Sequence, residues 1–484
     1  MSPQIAAIVC VVGILGLFVL DRDSESRTST ALWLPVVWLW IIGSREVSQW
    51  LAVFGIGKRA GEIGGQDHLE GSPVDAWLFT TLLFLGVVVL VKRGPVVVRL
   101  LRANAPILLF FLYCGLSVLW SDYPGVAFKR WFKAVGDIVM VLIVLTDPDR
   151  LAALKRVLSR VSFLLIPLSI LLIKYFPEVG KAFKHYGVAD YFGVTTNKGL
   201  LGATCLIFGL GSLWRFLAAY LNRGIAHRTR HLVVHGALLV MVLWLFSMAR
   251  SMTSLACFLL GSSLIVATSF RAVVRRPSVV HFFVTAVVLI PFSVLILGVG
   301  GGETLEAIGK DSTLTGRTNI WHLVLSLSGN PLLGTGFESF WLGPRLEKIY
   351  SAYWWHPNEA HNGYIEVYLN LGWIGLALLA TLIVTGYRKV IRGLRLDLDI
   401  GRLMLAYFVV ALVYSFTEAG FRMLSLTMDF FLMAMMSLPA APVPEASVWG
   451  QRRVDTRDLV ESLSAHPTTH LAARLTGNQL VRKR

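Results

Sequence analysis

Residues 359–386 read EAHNGYIEVYLNLGWIGLALLATLIVTG. The stretch begins polar, with an imidazole and an amide, and from Gly363 onward is almost wholly apolar for the length of a membrane span. That change of character places the chain in a bilayer, and it poses the question of why His361 and Asn362 stand at the edge. The whole sequence agrees. Of its 484 residues 55% are hydrophobic and 15% charged, and the mean hydropathy is +0.65, too apolar for a soluble globule of ordinary usage.

Further apolar runs lie at 3–20, 31–43, 76–91, 105–121, 134–146, 161–173, 199–221, 232–247, 251–270, 279–299, 404–416 and 423–438. With 363–387 they predict about 12–13 transmembrane helices, the run at 31–43 being short enough for a tilted or re-entrant piece. Only helices and closed barrels satisfy their backbone groups in lipid, and these runs are too long and unalternating for barrel strands. The expected fold is an all-α polytopic membrane protein, its first run a retained helix. Residues 1–438 form the transmembrane domain, and 439–484 a disordered cytoplasmic tail.

Lys and Arg crowd the loops KRGPVVVRLLR, DPDRLAALKRVLSR, NRGIAHRTRH, RAVVRRPS and YRKVIRGLRLDLDIGR, which marks these as cytoplasmic. The other loops face outward, including 300–362, whose length of about sixty residues suggests a functional loop. The net charge of +16 is scattered among membrane loops without a nucleic-acid recognition motif, so anionic lipid is the expected partner and nucleic acid is not. Cys10, Cys114, Cys205 and Cys257 all fall in apolar runs and read as small buried hydrophobes.

Four outward stretches carry polar groups at the ends of apolar or amphipathic helices: YFGVTTNKGLLG (191–202), FSMARSMTS (246–254), STLTGRTNIWHLVL (312–325) and the opening one. They supply Lys198, Arg250, Arg317 and His361. Arg250 lies in a very short outward turn where an unpaired arginine is costly, so either a carboxylate from elsewhere in the chain or an anionic ligand compensates it, or it snorkels to the interface. Arg317 follows TLTG, with Gly316 suited to a helix start, and would stand beside the positive end of a helix, a place that suits phosphate. The alternative is a solvated loop arginine. His361 reads as a helix cap, as a zinc ligand with His356, or as a general base. The aromatic run YSAYWWHP (350–357) is an interfacial belt or a sugar-stacking platform.

GRTNIW, NPLLGTGFESFW and HNGYIEVYLNLGWIGL together resemble the O-antigen ligase and polysaccharide polymerase superfamily, and more loosely so do TTNKGLLG and SMARSM. FESFWLG and AHNGYIEVYLNLGW are most similar to its exopolysaccharide repeat-unit polymerase branch. The resemblance implies a glycosyltransferase-C-like bundle in the bacterial inner membrane that acts on its periplasmic face, with one long periplasmic loop. The donor would be an undecaprenyl-pyrophosphate-linked glycan and the acceptor another glycan, without metal, cofactor or nucleotide sugar; other polysaccharide-assembly proteins are implied as partners. By motif position Arg250, Arg317 and Lys198 would hold the donor pyrophosphate, His361 would activate the acceptor hydroxyl, and Asn362 and Gly316 would support them. Asn370 stands where many relatives carry a glutamate. A ligase acting on a lipid A core would use the same residues. A transporter, the rival from another class, would predict ionisable groups deep in several spans, and a purely structural role would leave substitutions at Arg250 and His361 silent.

Overall fold

The computed structural model of the protein describes residues 1–22, 28–56, 71–183, 189–224, 226–270, 273, 276–297 and 313–436. The expected tail and the first part of the long loop, 300–312, lie outside the described residues. The helices are α1 (Pro3–Leu20), α2 (Trp33–Ile42), α3 (Val47–Val53), α4 (Pro73–Lys92), α5 (Gly94–Ala103), α6 (Ala105–Leu116), α7 (Pro124–Leu145), α8 (Arg150–Tyr175) and α9 (Lys198–Leu221). They continue as α10 (Arg228–Ala249), α11 (Met252–Ala267), α12 (Pro277–Leu297), α13 (Thr313–Ser326), α14 (Gly343–Ala352), α15 (Gly363–Leu396), α16 (Leu398–Tyr414) and α17 (Leu426–Met436). One small antiparallel hairpin, Lys181–Phe183 with Ala189–Tyr191, precedes α9.

The chain is therefore an all-α polytopic membrane protein. Among the described residues six helices (α1, α4, α8, α9, α10 and α15) are long and apolar enough to cross a bilayer unaided. A further candidate is Gly94–Ala103 with Ala105–Trp120, a pair bent by 87°, and Thr30–Ile42, Met252–Ala267, Ser278–Val287 and Leu426–Met436 are shorter apolar helices. Fewer helices cross unaided than the twelve or thirteen apolar runs suggested. One cause is visible at Asn104: the Asn104 side chain bonds back to the Leu100 carbonyl, and Pro106, lacking an N–H, opens α6 in a new direction. Other helices outrun their apolar stretches. Asp149 accepts from the Ala152 amide and starts α8 eleven residues before the run at 161–173.

The core centres on α16 and α17, where Phe408 stacks on Phe431 at 5.4 Å and Tyr407 meets Phe430 at 4.8 Å. The described parts of the basic connections gather at one end of the bundle. There Arg93, after α4, reaches Asp147, before α8, at 3.2 Å, and Trp214 of α9 donates to the Asp399 carbonyl at 2.7 Å. Arg402 of α16 donates to Ser269, just beyond α11, at 3.0 Å. The starts of α9, α11 and α15 and the ends of α10 and α16 therefore lie at the opposite end.

The long loop is folded where it is described. It contains α13 and α14, and Ile320, Val324, Phe340, Ile349, Ala360 and Leu369 form a second apolar cluster. A break in α15 docks it. Gly372 has φ +64°, which frees the Trp373 and Ile374 amides to bond the Pro331 and Leu332 carbonyls at 2.9 and 3.2 Å. The continuous span expected from 363 to 387 is thus interrupted at this residue. A side chain there would sit 2.3 Å from the Leu332 backbone. Gly372→Ala is expected to cost at least about 2 kcal/mol, from the left-handed backbone and the overlap together; a lower apparent melting temperature in detergent checks it.

Candidate active site

Asn362 fixes the start of α15. Its Oδ1 accepts from the Tyr364 and Ile365 amides at 3.0 and 3.1 Å, and its Nδ2 donates to the Phe416 carbonyl at 3.1 Å. The Gly363 amide bonds the Ser415 carbonyl at 2.7 Å. The amide side chain both caps one helix and ties it to the end of α16. His361 precedes this clamp at φ +50°, a region non-glycine residues seldom occupy.

That backbone turn aims His361 at two carboxylates. Its Nδ1 lies 2.9 Å from Glu359 Oε1 and 3.3 Å from Glu418 Oε2. Arg317 comes to the same carboxylate from α13: its Nη2 is 3.2 Å from Glu418 Oε1, and its Nη1 donates to the Thr417 carbonyl. Arg422 continues the row, with Nη1 3.5 Å from Glu359 Oε2 and Nη2 3.3 Å from Glu338 Oε2. Cations and carboxylates alternate from Arg317 to Glu338, and the side chains of Arg317, His361 and Glu359 each keep 25% of their surface exposed. The row is therefore open to a ligand.

Burial pulls the His361 pKa down, but the hydrogen bonds and charges of Glu359 and Glu418 outweigh it and raise it to about 9. At neutral pH the ring is an imidazolium. Burial works against ionisation of Glu359 in turn, and His361 and Arg422 overcome it and hold its carboxyl below the usual range.

The sequence-derived residues are only partly brought together. Arg317 and His361 meet through Glu418. Arg250 caps α10 at φ +49° and pairs with no carboxylate among the described residues. Its turn abuts the site, because Thr253 accepts from Thr417 at 3.1 Å. Lys198 begins α9, and its Nζ is 3.7 Å from Asp190, so hairpin and lysine compensate one another. Gly202, one turn on, packs against Ser251 and Ser254 beside Arg250. Gly316 and Arg317 lie inside α13, which already includes Thr313; TLTG joins the helix, since one internal glycine costs only about 1 kcal/mol.

Asn370 holds a turn of the long loop. Its Oδ1 accepts from the Ser339 and Phe340 amides at 2.9 and 3.1 Å, which secures the FESFW turn. The acid partners of His361 come instead from Glu359 and Glu418, which the sequence reading did not select. His356 stacks on Tyr350 at 4.4 Å, whereas Trp355 stacks near the His361 ring at 6.2 Å. Donor atoms of Glu359, His361 and Glu418 lie within 4.8 Å of one another, a possible ligand set for a metal ion. A cation there would compete with Arg317 and Arg422 for the same carboxylates.

Residues 201–380 match the family described as O-antigen ligase. Over 290 residues, 57% of this chain and 63% of the relative's, the sequence is 23% identical to the exopolysaccharide production protein ExoQ of Rhizobium meliloti (strain 1021). The match thus spans less than two thirds of that relative's length. These findings uphold the resemblance to the O-antigen ligase and polysaccharide polymerase superfamily. Arg250, Arg317 and His361 lie inside the matched stretch, while Lys198 and Glu418 lie outside it.

Proposed function

We propose that this chain is a glycosyltransferase of the bacterial inner membrane that polymerises undecaprenyl-pyrophosphate-linked repeat units into exopolysaccharide on the periplasmic face. The observation that carries the reading is the meeting of Arg317 and His361 on Glu418, at the end of the bundle opposite the basic loops. Charge asymmetry of that kind supports a periplasmic site. The carrier's own tail would hold the reactive bond at the membrane edge, which is where His361 stands.

In this account the donor pyrophosphate takes the place of Glu418 on Arg317, with Arg250 as a second cation. A guanidinium holds two phosphate oxygens at once and stabilises the charge that grows on the leaving group. Glu359 and Glu418 keep the His361 Nδ1–H in place, and the opposite nitrogen takes the acceptor's proton. The acceptor oxygen bonds to the anomeric carbon as the carbon–oxygen bond to undecaprenyl pyrophosphate breaks, with inversion and without a metal. A ligase reading is favoured by the description of the matched family. It differs in the acceptor, a lipid A core instead of a second repeat unit. The glycan profile of a strain lacking the protein tests both: single repeat units on the carrier support polymerisation, and long carrier-linked chains support ligation.

Because His361 must shed a proton to act as a base, the initial rate should rise with pH toward a midpoint near 9. Glu418→Gln removes one of the charges holding the proton, so the rising limb should move to lower pH. The fold responds with the opposite sign. Stability from the raised pKa is complete below the imidazole's ordinary value of ~6.5 and is lost as pH rises through about 9. Rates and melting temperatures measured across pH 6 to 10 separate the two effects.

A further inference from the structure

We propose a divalent transition-metal site, of the kind that takes zinc, at the opposite end of the bundle from the candidate active site. Its donors are Asp21, His231 and His235. The two histidines are four residues apart on α10 and so share one face, and Asp21 caps the C-terminus of α1. Asp21 Oδ1 is 3.1 Å from His231 Nδ1 and 3.4 Å from His235 Nε2, and the three donor atoms all lie within 4.8 Å of one another. Tetrahedral zinc with donors at ~2.0–2.1 Å places those donors ~3.4 Å apart. The two separations from Asp21 are already near that spacing.

An independent observation points to a ligand. His235 is 2% exposed, and neither of its ring nitrogens makes a well-aligned hydrogen bond: Nε2 has Asp21 at 3.4 Å as its polar neighbour. A buried imidazole held only by a long, poorly aligned contact is costly, and a metal on Nε2 would satisfy that nitrogen. The guanidinium of Arg215 occupies the fourth side, with Nη2 3.0 Å from Asp21 Oδ1 and 3.2 Å from His231 Nδ1. Its Nη1 reaches Ser159 at 3.4 Å. A bound metal would displace Arg215 into the adjoining cavity, which Asp149 also lines and where it finds another carboxylate. The role is structural. Only 11% of α1 is buried, and a metal shared with α10 would staple it to the bundle.

The test uses the full chain in detergent, stripped with a chelator and titrated with zinc against a chromophoric competitor. One zinc per chain, bound at micromolar or lower Kd with a rise in melting temperature, is the expected result. His235→Gln and Asp21→Asn should each weaken binding by at least roughly tenfold, His361→Ala should leave it unchanged, and Arg215→Met, which clears the fourth side, should tighten it. Because His235→Gln and Asp21→Asn remove buried groups, gel filtration confirms that each variant is folded. No stoichiometric binding, binding that survives His235→Gln, binding lost with His361→Ala, or binding abolished by Arg215→Met would each overturn the site.

Discussion

His361→Ala, present in the membrane at the level of the intact chain, is expected to leave single repeat units on the lipid carrier and to lower polymerisation by roughly 10²- to 10⁴-fold, the range associated with a positioned general base. The structure makes the substitution informative because the imidazole is not part of the core. A quarter of its side-chain surface is exposed, and the clamp that starts α15 is made by Asn362 and the Gly363 amide. Removing the ring leaves Glu359 paired with Arg422 and Glu418 with Arg317. The variant should therefore fold, and a glycan profile like that of the intact chain would show that His361 takes no part in the chemistry.

Arg317→Ala is expected to cost roughly 10²- to 10³-fold, the scale seen when one preorganised stabiliser of developing negative charge is removed. Arg317→Lys should recover only part of that loss, since an ammonium keeps the charge but not the two-pronged geometry. Arg317 also neutralises Glu418, so the loss in a single variant has two possible causes. The double variant Arg317→Ala/Glu418→Gln separates them. If Arg317 serves only to balance Glu418, the second change restores polymerisation. If Arg317 holds the donor pyrophosphate, the double variant stays as slow as the single one, which is the expected outcome when carrier-linked oligomers are timed in membranes at a pH above the rising limb, where the hold of Glu418 on the His361 proton no longer affects the rate.

The apolar run after Gly363 and the basic loops were legible because bilayer insertion and loop charge act on composition, without reference to tertiary contacts. His361 and Asn362 were legible for the same reason: their polarity stands out against the apolar span that begins directly after them. What escaped depends on distant segments meeting. Glu418 lies fifty-seven positions from His361, and its one local signal was an acid and a base, Glu418 and Arg422, in a short turn between two apolar runs. Glu359 stood in the opening stretch, but its partnership with His361 requires the left-handed turn at φ +50°. The break at Gly372 was hidden by the apolar residues on both sides of it. The bend at Asn104 had Pro106 as its mark, yet a proline near a helix start does not give an angle.

If the Arg317–Glu418–His361 row joins lipid-linked glycans, the purified chain does so unaided. The test reconstitutes it in liposomes with carrier-linked repeat units as the sole glycan and follows product size over time. The expected result is a ladder of carrier-linked oligomers from the intact chain, with nothing beyond the single unit from His361→Ala. A ladder of equal rate and length from His361→Ala would contradict the account, as would an intact chain that forms no oligomer yet transfers glycan to an added lipid A core.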